Sequence, residues 1–142
     1  MRRERDSLGE KAVPDDALYG IFTQRARETF DLGGVRPHPA FLRAIALIKK
    51  AAARANRRLG LLPPRLARAI EWAADRVIAG DAADAFVLDA FQAGAGAPTH
   101  MNVNEVIANL ANERLGGRRA RPGAHRPSRR GRRLHARAGA AR

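Results

Sequence analysis

The residues best equipped for chemistry lie between positions 92 and 109, which read QAGAGAPTHMNVNEVIAN. A glycine-rich loop runs straight into an apolar-periodic segment, and the pattern predicts that the segment is a helix starting at Asn102. Asn102 is then its cap and Glu105, three residues on, completes a capping box. A helix start leaves several backbone N–H groups without intrahelical partners, at the end that carries partial positive charge. Such a place holds small anions, carboxylates included. A carboxylate is therefore the expected ligand, and the loop and helix start that would meet it include Gly96, Ala97, Thr99, His100 and Asn102.

Other chemistries find little support. The chain has no cysteine, its four histidines are dispersed, and no His-Glu-x-x-His pattern occurs, so no metal site and no cofactor are expected. No phosphate-binding P-loop signature occurs. Ser7 and Ser128 are the only serines and both lie near the ends, so no serine nucleophile arrangement is suggested. The charged start, Met1-Arg2-Arg3-Glu4, is not followed by an apolar run, and no stretch approaches the roughly 20 apolar residues of a membrane span. A soluble cytoplasmic protein without a membrane partner is the expectation.

The net charge of +13 is unevenly placed. Ten of the 27 basic residues are arginines beyond Gly117, which leaves 17 basic against 14 acidic residues in the first 117, a net charge of +3. The body alone gives no electrostatic argument for nucleic-acid binding. In residues 118–142, 21 of 25 are Arg, Ala, Gly or Pro, a composition expected to be disordered. Two origins compete for this tail: a genuine basic arm that neutralises phosphates, or out-of-frame translation of a GC-rich gene, which the composition favours.

The elements that must position the loop are mostly helical. Residues 1–36 read as an irregular arm punctuated by Gly9, Pro14, Gly20, Gly33 and Gly34, with one helical stretch near 22–30. A helix is predicted to start after Pro37-His38-Pro39 and to run to about Leu59, with Phe41, Ile45, Ile48, Ala52, Ala55 and Leu59 as its core stripe and Gly60 as its stop. His38 is read as a residue of the helix start. A second helix follows Pro63-Pro64, with Leu66, Ile70, Ala73 and Val77 inward and Gly80 at its end. Trp72 is assigned to packing. Residues 85–89 read as extended, and the last helix runs from Asn102 to Leu115, closed by Gly116-Gly117.

The loop also resembles the first substrate loop of the fumarase/aspartase superfamily of lyases, approximately G-x-G-T-x-x-x-M-N-x-N-E-V-I-A-N. Two further blocks agree in order and spacing. The first contains Glu4-Arg5-Asp6-Ser7-Leu8-Gly9-Glu10, Val13-Pro14, Ala17-Leu18-Tyr19-Gly20 and Thr23-Gln24-Arg25-Ala26. The second is Ala46-Leu47-Ile48-Lys49-Lys50-Ala51-Ala52-Ala53-Arg54-Ala55-Asn56, with Ala73-Ala74-Asp75 later. Together they cover about residues 3–117. The resemblance implies a mostly α, N-terminal helical domain of such a lyase, lacking the central helical bundle on which the family builds its homotetramer. It also implies elimination of ammonia or water from a dicarboxylate to give fumarate.

The same resemblance makes Arg25 either a carboxylate partner near the site or one half of an ion pair. It places a threonine of the family at Ala97, which has no hydroxyl to offer. His100 either donates to the carboxylate or is satisfied by backbone or water. The family's catalytic base lies on a loop beyond these residues, so no catalytic residue is assigned and the isolated chain is expected to be inactive. Apolar stripes meant for the bundle are expected to stand exposed. The wording Tyr19-Gly20-Ile21 and Thr99-His100-Met101-Asn102-Val103-Asn104 leans toward aspartate ammonia-lyase over class II fumarase. A nucleic-acid-binding module working through the tail is the rival from another class.

Overall fold

The computed structural model describes residues 1–117; the basic tail, with the expectation of disorder attached to it, lies outside the described residues. The chain opens with an antiparallel hairpin, β1 (Arg2–Asp6) and β2 (Gly9–Val13), in register from Arg2 opposite Val13 to Asp6 opposite Gly9. Four helices follow: α1 (Ile21–Thr29), α2 (Pro39–Arg58), α3 (Pro64–Ala79) and α4 (Ala97–Arg114). The mostly α class holds. No described helix is long and apolar enough to cross a membrane.

The hairpin corrects the irregular arm expected for residues 1–36. Its strands, RRERD and GEKAV, lack the alternation of apolar and polar residues that announces a strand. What holds it is a buried guanidinium. Arg2 is 1% exposed. Its Nε donates to Glu4 at 2.8 Å, one Nη to the carbonyls of Pro14 and Ala17 at 2.5 and 2.9 Å, and the other to that of Tyr19 at 2.6 Å. A buried charge is tolerable only when it is hydrogen-bonded in this manner. The arginine thereby fixes the path of residues 14–19 and delivers Gly20 to the start of α1.

α2 packs along α3, while α4 lies against α3 and α1. Ala46, Ala53, Ala67, Ala73 and Ala74 are all buried, so small side chains let the helices approach closely, as the alanine-rich sequence implies. α4 is the central element: Val103, Val106, Ile107 and Ala111 are sealed from solvent. Full burial of each Val or Ile of this kind is worth about 1.5–3 kcal/mol. The inward face predicted for α3 is present, with Ile70, Ala73 and Val77 buried and Leu66 partly so. Trp72 is partly buried against the core, and the guanidinium carbons of Arg76 and Arg114 lie 5.7 and 4.8 Å from its ring centre.

The stripe predicted for α2 is out of phase. The buried residues are Leu42, Ile45, Ala46, Lys49 and Ala53, whereas Phe41, Ile48 and Leu59 are 50%, 61% and 71% exposed. α2 is apolar on two adjoining faces, and periodicity cannot say which one meets α3. The face that packs inward shares Ile45 with the predicted stripe and is otherwise displaced from it, with Ala46 and Ala53 beside the buried alanines of the core. The outward stripe agrees with the expectation of exposed apolar surface. His38 does start α2, its Nδ1 accepting from the Ala40 amide at 3.1 Å.

Residues 85–89 contain no strand. A 3-10 turn, Ala83–Ala85, leads into irregular chain anchored by buried Phe86 and Leu88.

Candidate functional site

The glycine-rich loop takes an unusual backbone path. Gly94, Ala95 and Gly96 are three successive residues with positive φ, 68°, 52° and 86°. Ala95 is the only non-glycine residue in that region among the described residues. The left-handed run turns the chain abruptly, and α4 begins at Ala97 with Pro98 in its first turn. Proline suits this position because its fixed φ is helical and its missing N–H would have had no partner there. The N-cap is Gly96, which makes no side-chain cap bond.

Asn102 is therefore not the cap. It sits inside α4, 1% exposed, and its Nδ2 donates to the Ala85 carbonyl at 3.1 Å. This bond ties the helix to the chain that feeds the loop. Glu105 does not complete a capping box either. Its carboxylate crosses to α1, accepting from the amides of Gly20 and Phe22 at 3.0 Å each and of Thr23 at 3.1 Å. Glu4 accepts the remaining early amide, that of Ile21, at 2.9 Å. Two internal carboxylates thus fill the N-terminus of α1, where the helix dipole favours negative charge. Gly20 is required for this approach: a Cβ there would stand 2.7 Å from Glu105 Oε1 and 3.0 Å from Glu4 Oε2.

The structure brings Gly96, Ala97, Thr99 and His100 together around the first turn of α4. Ala97 is exposed, Thr99 buried and His100 half-buried. Arg25 is engaged elsewhere: its Nε and Nη2 grip the Asp6 carboxylate at 2.9 and 3.1 Å, and Nη2 also donates to the Gly9 carbonyl. The hydrogen bond from Arg25, aided by the Leu8 amide, holds the Asp6 carboxyl below its ordinary value against the opposing effect of burial. Of the two roles open to Arg25, the ion pair is the one seen here.

Sequence reasoning missed three residues around the site. Asn109 donates to the Leu18 carbonyl at 2.6 Å, pinning the segment before α1 onto α4. Gln92, at the mouth of the loop, has both side-chain polar atoms buried without a hydrogen-bond partner. Asp89 accepts from three backbone amides, and those bonds, the Phe91 amide foremost, pull its carboxyl below the ordinary value. The local word Asp89-Ala90-Phe91 carried an Asx-turn signal that could have been read. Among the described residues no group of His, Asp and Glu is placed to hold a metal ion.

Comparison with known proteins places this arrangement. A lyase family model matches residues 9–131, a span that runs past the Gly116-Gly117 pair at which the motif resemblance stops. A class II fumarate hydratase of Pseudomonas aeruginosa is 56% identical over 118 residues, covering 83% of this chain and 25% of that protein. An aspartate ammonia-lyase of a Bacillus species is 47% identical over 116 residues, 82% of this chain and 25% of that protein. A solved structure of a fumarate lyase:delta crystallin from Brucella melitensis superposes with a TM-score of 0.83 at 47% identity, covering 94% of this chain and 29% of that one. The chain spans about a quarter of the length of the curated relatives it matches. It belongs to the fumarase/aspartase superfamily of lyases and corresponds to the N-terminal part of its members.

Proposed function

We propose that the chain supplies the carboxylate-binding N-terminal part of a lyase that interconverts malate with fumarate and water. The observation that carries the reading is the left-handed run at Gly94, Ala95 and Gly96 opening directly into the uncapped first turn of α4. In such an elimination a proton leaves the carbon beside a carboxylate while hydroxide departs from the next carbon with a second proton. Negative charge builds on that carboxylate as the proton leaves. Backbone amides fixed at a helix N-terminus stabilise the developing charge without reorganisation. Gly96, Ala97, Thr99 and His100 frame this position and Asn102 fixes the helix behind it, while Arg25 is held by Asp6 on the hairpin. Ala97 offers no hydroxyl, which forgoes a hydrogen bond to a charged group worth about 1.5–3 kcal/mol.

Class II fumarate hydratases supply most of the similar relatives at the higher identities, which favours malate and reverses the lean toward aspartate read from the sequence. Aspartate deamination stands as a second reading, favoured by the Tyr19-Gly20-Ile21 wording and by the aspartate ammonia-lyase relative. In either case the base and the rest of the substrate clamp come from beyond these residues, and a homotetramer is the working assembly in the cytoplasm. Phosphate contacts by the arginine tail are a secondary property at most, and the reaction needs no cofactor.

The test is complementation. The 142-residue chain alone should form no fumarate from malate or aspartate, read by ultraviolet absorbance. Co-expressed with the remaining three quarters of a class II fumarase, it should restore turnover of malate. Restoration on aspartate alone would transfer the assignment to the second reading. Restoration on neither, with the two pieces co-purifying, would remove the lyase assignment.

A further inference from the structure

Residues 31–36 cross the surface without an apolar anchor of their own: Leu32 and Val35 are exposed, and the first buried residue after them is Pro37. Polar contacts hold the segment down, and they converge on the chain just before the glycine-rich loop. The amides of Gly33 and Gly34 both donate to Asp89 Oδ2 at 2.8 Å. The Ala90 amide donates to the Val35 carbonyl at 2.6 Å, and Arg36 reaches the Val87 carbonyl. The second oxygen of the same carboxylate, Oδ1, accepts from the Phe91 amide at 2.8 Å and closes the turn into Gln92. One side chain therefore ties the strap with one oxygen and sets the entry to the loop with the other.

We propose that Asp89 is a positioning residue for the glycine-rich loop, and that residues 31–36 act as a strap holding the loop in its left-handed path while latched to it. The loop has little else to fix it. Ala93, Gly94 and Ala95 are exposed and bury no side chain, so its conformation depends on what happens at its two ends. The downstream end is the first turn of α4, anchored by buried Pro98 and Thr99. The upstream end is the Asp89 turn. Of the residues between them, Phe91 is 64% exposed and Gln92 is half-buried with no side-chain hydrogen bond to hold it. Loss of the carboxylate removes the Gly33 and Gly34 contacts of the strap and the bond that closes the upstream turn in one step, because they share one group, and leaves the strap only the Ala90–Val35 and Arg36–Val87 contacts. The consequence for substrate capture rests on the lyase reading; the mechanical claim does not.

Backbone 15N relaxation on the 142-residue chain tests the claim with Asp89→Ala, and with Asp89→Asn, which keeps one acceptor oxygen. In Asp89→Ala the order parameters of residues 32–36 and of Ala93, Gly94 and Ala95 should fall together, from about 0.85 toward 0.6 or below. Amides of α2 and α3 should keep their values, and Asp89→Asn should fall between. If residues 32–36 loosen while residues 93–95 do not, the latch is only a local staple and the proposal fails. If Asp89→Ala unfolds the chain, Asp89→Asn decides by the same criterion. A fumarate titration followed at the Thr99 amide separates the two ideas. A wild-type chain without a fumarate-dependent shift removes the carboxylate site at the α4 start and leaves the latch to the relaxation data. A shift that weakens severalfold in Asp89→Ala supports both.

Discussion

Replacing Glu105 by alanine is the most searching test of how this fold is held. The carboxylate is 1% exposed and accepts from three backbone amides, of Gly20, Phe22 and Thr23, at 3.0–3.1 Å. Two of those bonds are buried and the third is partly buried. A buried amide left without a partner costs about 1–3 kcal/mol, and a bond to a charged acceptor sits in the upper part of the range. Relief from the cost of burying the carboxylate offsets part of the sum. The expected net loss is roughly 3 kcal/mol, a large share of the 5–15 kcal/mol typical of a whole domain. At roughly 4 °C per kcal/mol for a domain of this size, the midpoint of a far-ultraviolet circular dichroism melt should drop by about 12 °C.

Glu105→Gln keeps one acceptor oxygen but turns an N–H toward one donor, so about half that loss is expected. The alternative is the local one, a capping box at the start of α4, in which removal of the side chain costs typically about 1 kcal/mol. A loss of 1 kcal/mol or less in urea denaturation of Glu105→Ala would refute the assignment of Glu105 to the N-terminus of α1.

Three further outcomes follow from the geometry. Gly20→Ala should destabilise by about 1–3 kcal/mol, because its Cβ meets two fixed carboxylates at 2.7 and 3.0 Å; a neutral result in the same melt would mean that Glu105 and Glu4 can move aside. Ala95→Gly should stabilise by about 0.5–1 kcal/mol, since a left-handed alanine costs about 1–2 kcal/mol and glycine's greater unfolded-state entropy returns part of it; a lower melting point would show that the Ala95 methyl packs on something. Asp6 and Asp89 lie below their ordinary 3.8 and Glu28 below 4.5, through bonds led by Arg25, the Phe91 amide and Lys11 respectively. Depressed folded values mean that the unfolded chain takes up protons first, so this stabilisation is complete above about pH 5 and is lost as pH falls through 4 and below. Denaturation midpoints that stay flat between pH 5 and 3 would contradict it.

The parts of the fold legible in the sequence are those fixed by local chemistry. Pro63-Pro64 and Gly80 bracket α3, and its apolar spacing singles out one face. His38 caps α2 through an atom two residues from its partner amide. The failures share a different cause. The residues from Asn102 to Glu105 carry the same local signature whether the pair caps its own helix or reaches across the core, and only the tertiary placement of Gly20 decides between them. Pro98 was the signal against the local reading, since a proline followed by apolar periodicity marks a helix start several residues earlier. The hairpin was invisible because its decisive side chain is an arginine, a residue type seldom found fully buried. On α2, apolar residues on two adjoining faces, with a lysine on the one that is buried, left the choice to tertiary packing.

The starts of the four helices differ in a way that bears on where an external anion would go. At α1, Glu105 and Glu4 occupy the amides of Gly20, Ile21, Phe22 and Thr23. α2 is capped by the His38 ring. α3 opens with two consecutive prolines, which remove two donors from its first turn. At α4 the N-cap is a glycine with no side chain to close the turn, and the loop before it is bent back by three left-handed residues. A carboxylate arriving from solvent would have to displace buried Glu105 and half-buried Glu4 at α1 and would find few donors at α3. At α4 it would meet the positive end of a helix whose body is buried, at a first turn with no side-chain cap. The two carboxylates at α1 therefore serve two ends. Glu105 fastens α1 to α4 and Glu4 fastens it to the hairpin, and together they keep the α1 amides from competing with the α4 start for an external anion.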